Sequence, residues 1–131
     1  MDKRAVVANF IELKDTAADV FWSMYEEYEQ TRLQMGRNAM EFLHIYTLTY
    51  MDMDDEETDE IMKQMIGSRK ANHKLIDKYY KKVRTQSGAR AAAQFYQLEY
   101  YFLNLARITI MNYMPFFGEE ESPTSLLILE P

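Results

Sequence analysis

Glu41 and His44 stand three residues apart, a spacing that puts a carboxylate and an imidazole on one face of a helix. Helical di-metal centres use that pair twice, on separate helices. The only other histidine is His73, and the residue three before it is Lys70, so the second half of such a centre is missing. With two histidines and no cysteine, a zinc ion would have to use Glu41, His44 and His73, and the expectation is that no metal and no cofactor is bound. Ten methionines, among them Met62/Met65 and Met111/Met114, offer thioethers of the kind that hold Cu(I). The same spacing stacks each pair on one helix face, where pliable core filling is the simpler expectation.

Glu99 and Arg107 are the only charges between Phe95 and Met114. Eight residues apart, they do not form an i,i+4 pair, so each is expected to find its partner on another helix or another subunit and, with Gln97 and Asn104, to set helix register. No nucleophile or histidine accompanies Glu99 in the sequence, and the chain is expected not to be an enzyme. Charge is sharply divided: Gly67 to Arg90 holds eight Lys or Arg against Asp77, whereas Asp52 to Glu60 holds seven acids and no base. Acids in a first turn and bases toward a last turn complement one helix dipole, which is the ordinary reading of this pattern. The other reading is a cationic aromatic surface made by Lys74, Lys78, Tyr79, Tyr80, Lys81 and Lys82, whose binding would weaken with salt. The formal charge of −6 argues against a duplex nucleic-acid binder.

These residues need helices to position them. The chain of 131 residues is 47% hydrophobic, with four Gly and with all three prolines in the last 17 residues, a composition short of the turn residues that all-β proteins use. Residues 4–13 read as a short N-terminal helix. Asp15 or Thr16 is placed to cap a long helix to about Tyr50, with Phe21, Met24, Tyr25, Tyr28, Met35, Ala39, Phe42 and Tyr46 as its core stripe and Gly36 as a point of bending. Asp54 and Glu57 have capping-box spacing and open a second long helix to about Arg84. Its apolar positions lie at its ends, leaving Gly67 to Lys74 solvated or facing a polar groove. Gln86-Ser87-Gly88 breaks the chain, and a third helix from about Ala89 runs to Pro115. It is apolar on nearly every face, as a helix surrounded by protein would be, while Gln97, Glu99, Asn104 and Arg107 argue against a membrane span.

The fold expected is therefore all-α: an elongated, hairpin-like bundle of three long helices plus a short N-terminal one, in a single domain over residues 1–115. Residues 116–131 form an acidic tail, expected to be flexible, in which Leu126-Leu127-Ile128-Leu129 is expected to pack on the helices. Helices of about 35 and 30 residues would be about 52 and 45 Å long, beyond the diameter of a compact globule of this size. That length points to a homodimer covering the remaining apolar surface. Met1-Asp2-Lys3-Arg4 leads into a mixed polar segment rather than the apolar run of a signal peptide.

Three segments occur in a familiar order: Phe21-Trp22-Ser23-Met24-Tyr25-Glu26-Glu27-Tyr28, Tyr79-Tyr80-Lys81-Lys82 and Phe95-Tyr96-Gln97-Leu98-Glu99. Over about residues 5–117 the chain resembles the Spy/CpxP-like, LTXXQ-related bacterial envelope proteins. The motif that names the family would fall at Leu13-Lys14-Asp15-Thr16-Ala17, where only the leucine matches, and Ser23 stands where the aromatic segment usually has proline. The resemblance implies an exported, periplasmic, all-helical dimer. It implies a chaperone-like role in the stress response or an adaptor role in signalling, with protein clients held on the basic aromatic helix. Some members of that group bind zinc, so the alternative expectation is a metal-binding helical stress protein.

Overall fold

The computed structural model describes residues 2–118, which fold into four α-helices and no strand. Helix α1 spans Lys3–Phe10, α2 Asp15–Thr49, α3 Asp55–Ser87 and α4 Ala89–Tyr113. Helix α3 packs along both α2 and α4, and α1 lies against α4. The short connections make α3 antiparallel to each of its neighbours. Tyr28 and Phe95 (ring centroids 5.2 Å apart) join α2 to α4, so one end of the molecule brings all four helices together.

Local chemistry accounts for most of the helix ends. Asp2 caps α1 by accepting from the Ala5 amide at 3.3 Å, and α1 stops at Phe10, earlier than its apolar spacing predicts. Neither Asp15 nor Thr16 caps α2. The N-cap is Lys14, which has no side-chain capping bond, and Asp15 is the first helical residue, with a left-handed φ of 56°. Aspartate tolerates that region better than most side chains. The capping box at α3 is formed: Asp54 Oδ1 accepts from the Glu57 amide at 2.8 Å, and Glu57 accepts from the Asp54 amide. Asp55, Glu56 and Glu57 then place three acids at the positive end of the dipole. Helix α3 continues through Ser87, three residues past the expected end, until Gly88 takes φ 92° and turns the chain directly into α4.

The main core is built at the four-helix end. Val7 and Ile11 meet Phe21, Met24, Tyr25 and Tyr28 of α2, Ile76, Tyr79 and Val83 of α3, and Ala91, Ala92 and Phe95 of α4. The two alanines let α3 and α4 approach closely just after the Gly88 turn. At the other end of α2, buried Tyr46 donates to the Pro115 carbonyl at 2.6 Å and packs edge-on against Phe117, while the Gly118 amide donates to the Tyr50 carbonyl. The segment after α4 is thus tied back to α2 as far as Gly118, past the expected boundary at residue 115. The remaining tail, with Leu126 to Leu129, lies outside the described residues.

Between these ends the helices leave apolar surface uncovered. Helix α4 is not surrounded by protein within one chain: beyond Glu99, Tyr101, Leu105, Ile108, Met111 and Tyr113 are exposed, Ile108 by 57%. Leu33, Met40, Ile45 and Leu48 on α2 and Met62 and Ile66 on α3 are exposed as well. Met62 and Met111 therefore do not fill the core of the chain. Among the described residues, no helix is long and apolar enough to cross a membrane.

Candidate functional site

Glu99 is the one buried charged residue among those described, 2% exposed, and three donors converge on it. The Tyr25 hydroxyl donates to Oε2 at 2.8 Å, the Tyr28 hydroxyl to Oε1 at 2.7 Å, and the Lys3 ammonium to Oε1 at 2.8 Å. Lys3 also donates to Glu29 at 2.6 Å, and Glu29 holds Arg32 through two bonds of 2.7 and 2.9 Å. The Lys3 Nζ lies 5.2 to 5.7 Å from the ring centroids of Tyr25, Tyr28 and Phe102, a cationic head within an aromatic collar. Burial, reinforced by the Glu99 carboxylate, pushes the Tyr25 and Tyr28 hydroxyls far above the ordinary phenol range. Burial acts to raise the Glu29 carboxyl too, but hydrogen bonds from Arg32 and Lys3 outweigh it and hold Glu29 below the usual carboxylate range. Every oxygen of Glu99 is engaged, so the cluster binds α1, α2 and α4 to one another. Arginine 107 takes no part in it. Gln97 and Asn104 lie exposed on α4, apart from this network.

The basic stretch on α3 opens as a groove lined by Ile66, Arg69, Lys70, His73, Lys74, Asp77, Lys78 and Lys81. Tyr79 does not line it. At 2% exposure Tyr79 is in the core against Tyr28, and Lys82 and Lys78 lie over its ring, with Nζ 4.7 and 5.7 Å from the centroid. Lys82 also pairs with Glu27 at 3.7 Å, an exposed contact across α2 and α3. Tyr80 is half-buried and begins an aromatic row with Tyr96 and Tyr100 of α4. The Tyr100 hydroxyl donates to Asp77 at 3.2 Å, and burial with the Asp77 charge pushes it up to about 12. Lys74, Lys78 and Lys81 are exposed, so the cationic part of the expected surface is present without Tyr79.

His73 stands edge-on to Tyr100 and meets Arg107 of α4, whose Nη1 is 3.3 Å from its Nε2. A guanidinium only donates, so Nε2 is the unprotonated nitrogen and the ring proton is on Nδ1. Arg107 thus finds the partner on another helix that its place in an apolar run demanded, but only with one nitrogen: among the described residues the buried Nη2 has no hydrogen-bond partner. Burial, then the like charge of Arg69, lowers its pKa.

The candidate metal ligands do not converge. Tyr28 packs on Tyr79 in antiparallel register, which sets His73 roughly level with Gln34 and leaves His44 about 15 Å further along α2 at 1.5 Å per residue. Glu41 and His44 are both exposed, and among the described residues no three His, Cys, Asp or Glu side chains gather in a metal-holding group.

Fold and site together define an all-α protein with a satisfied buried charge cluster, an open cationic groove and uncovered apolar helix faces. Compared with protein-family models, with curated proteins and with solved structures, the chain has no match.

Proposed function

We propose that this chain is a noncatalytic polypeptide-binding protein of the bacterial envelope, working as a homodimer in a chaperone-like or sensor-adaptor role. The observation that carries this reading is the pairing of two surfaces: apolar side chains left uncovered along α2 and the second half of α4, and the basic face of α3. Contiguous exposed apolar surface marks an interaction site in a water-exposed protein, and neighbouring Lys and Arg add attraction for acidic or unfolded polypeptide. The placement in the periplasm rests on the resemblance of the Phe21–Tyr28, Tyr79–Lys82 and Phe95–Glu99 segments to the Spy/CpxP-like proteins. The noncatalytic reading is supported by the full engagement of Glu99, the best-buried carboxylate, in structural bonds.

The test is light scattering on the purified protein together with suppression of aggregation of an unrelated unfolding client. A dimer that suppresses aggregation, less well as NaCl rises toward about 0.5 M, is the expected outcome. A monomer without suppression would overturn the reading. Suppression unaffected by salt would remove the α3 lysines from the binding surface.

A further inference from the structure

We propose that the outer face of α3 is the subunit contact of the homodimer, pairing antiparallel with α3 of a second copy about a two-fold axis at Gly67. Glu56, Glu60, Gly67, Lys74 and Lys78 follow one another at steps of four, seven, seven and four residues. At about 100° per residue, those steps keep all five within a stripe about 40° wide. All five are exposed, on the side of the helix opposite Ile61, Ile76, Tyr79 and Val83, which α3 buries. The acids stand before Gly67 and the bases after it, at matching distances of seven and eleven residues. An antiparallel copy crossing at its own Gly67 therefore sets Glu60 against the second copy's Lys74 and Glu56 against the second copy's Lys78, and the symmetry repeats both pairs.

Within one chain this stripe is unfavourable. Glu56 and Glu60, Lys70 and Lys74, and Lys74 and Lys78 are like charges four residues apart, a spacing at which they repel. Among the described residues no ion pair reaches Glu56, Glu60, Lys74 or Lys78. The helix dipole acts within the terminal turns, which accounts for Asp55, Glu56 and Glu57 but not for lysines in the helix interior. Gly67 is a second, independent observation. Glycine inside a helix is less stable than alanine, yet a Cβ at Gly67 would meet nothing within 4 Å, so no packing inside the chain requires it. A second helix crossing there does, because the missing side chain lets two backbones approach. The exposed Ala71 and Ile66 stand beside it and supply apolar contact, while Lys63 at the rim has Asp59 four residues before it. Exposed ion pairs are weak singly, but four in one register fix orientation and partner. The inference rests on the homodimer reading, and it leaves Arg69, Arg84 and the apolar faces of α2 and α4 open to polypeptide.

The experiment is sedimentation equilibrium of the full chain across concentration, with circular dichroism as the check on folding. It compares the parent, the double variant Lys74→Glu with Lys78→Glu, the double variant Glu56→Lys with Glu60→Lys, and an equimolar mixture of the two variants. The parent is expected to be dimeric, with a dissociation constant that rises as NaCl approaches about 0.5 M. Each variant alone carries one sign of charge along the whole stripe and is expected to dimerise about tenfold more weakly or worse. The mixture is expected to recover dimer in the parent's concentration range, because every facing pair is again opposite in sign. Misfolding cannot produce that recovery. Variants as dimeric as the parent would overturn this contact and leave the homodimer standing. A parent that stays monomeric would overturn both. Variants weakened alone but not restored by mixing would overturn the antiparallel register.

Discussion

The Lys3 ammonium lies 2.8 Å from the carboxylate of Glu99, 96 positions away, and the same nitrogen reaches Glu29 at 2.6 Å. One side chain from the first turn of α1 thereby neutralises a carboxylate buried between α2 and α4. The side chain of Glu99 is 1% exposed and that of Lys3 19%, so the pair is largely withdrawn from water. Removing one member of such a pair strands the other. Lys3→Ala is expected to destabilise the fold by about 3 kcal/mol, read as a lower denaturation midpoint with an unchanged slope. Tyr25→Phe, which deletes one donor to the same carboxylate, should cost about 1.5–2 kcal/mol. The two effects should not add in the double variant, because both act through Glu99.

The same cluster sets opposite limits at the two ends of the pH scale. Glu29 is held below its ordinary value in the folded chain, so its contribution is fully present above the unfolded value of about 4.3 and is lost as pH falls through the folded value. Tyr25 and Tyr28 are raised, so their contribution is fully present below about pH 10 and is lost as pH rises beyond it, where the unfolded chain ionises and the folded one does not. Thermal melts across pH should show both limbs. Glu29→Gln should flatten the acid limb alone. In an alkaline titration, the two phenols should ionise only together with loss of helical circular dichroism.

The glycines separate by backbone demand. Gly88 has φ 92° at the turn between α3 and α4, a conformation that side chains resist, so Gly88→Ala should destabilise by about 1 kcal/mol or more. Gly36 and Gly67 are helical, and an added Cβ at either meets nothing within 4 Å. Gly36→Ala and Gly67→Ala should each stabilise by about 0.5–1 kcal/mol. Melting temperatures of the three variants check the contrast, and a stabilised Gly88→Ala would contradict the strain at that turn.

Much of the architecture was legible because the signals are local. The i,i+3,i+4 stripe of α2, the Asp54–Glu57 box, Gly88 and Pro115 mark helices and breaks without reference to distant residues. Glu99 was conspicuous as a carboxylate in an apolar run, and the demand for partners elsewhere follows from charge burial alone. Its partners were not legible: nothing near Lys3 in the chain announces a contact with α4, and only the docking of α1 creates it. Tyr79 shows the converse. Assigned to a binding surface because of its lysine neighbours, it is spaced with Ile76 and Val83 on the buried stripe, and that periodicity was the better guide. Arg107 was readable as a residue needing an interhelical contact, but its half-satisfied state depends on which acceptors His73 and the α3 face present.

The uncovered face of α4 gives the sharpest test of assembly. Within one chain Tyr101 is 61% exposed and Ile108 57%, so polar replacements there disturb little intramolecular packing. Tyr101→Glu with Ile108→Glu should therefore leave the melting temperature of a dilute, monomeric sample nearly unchanged. If this face is covered by a second copy, the double variant should shift light-scattering mass from dimer to monomer at concentrations where the parent chain is dimeric. The parent's melting temperature should then rise with concentration while the variant's does not, since association stabilises by mass action. A variant that stays dimeric would place the subunit interface elsewhere, on the outer face of α3 or on the exposed Leu33, Met40 and Leu48 side chains of α2. The same variant's capacity to suppress client aggregation would then show whether the α4 face serves clients instead.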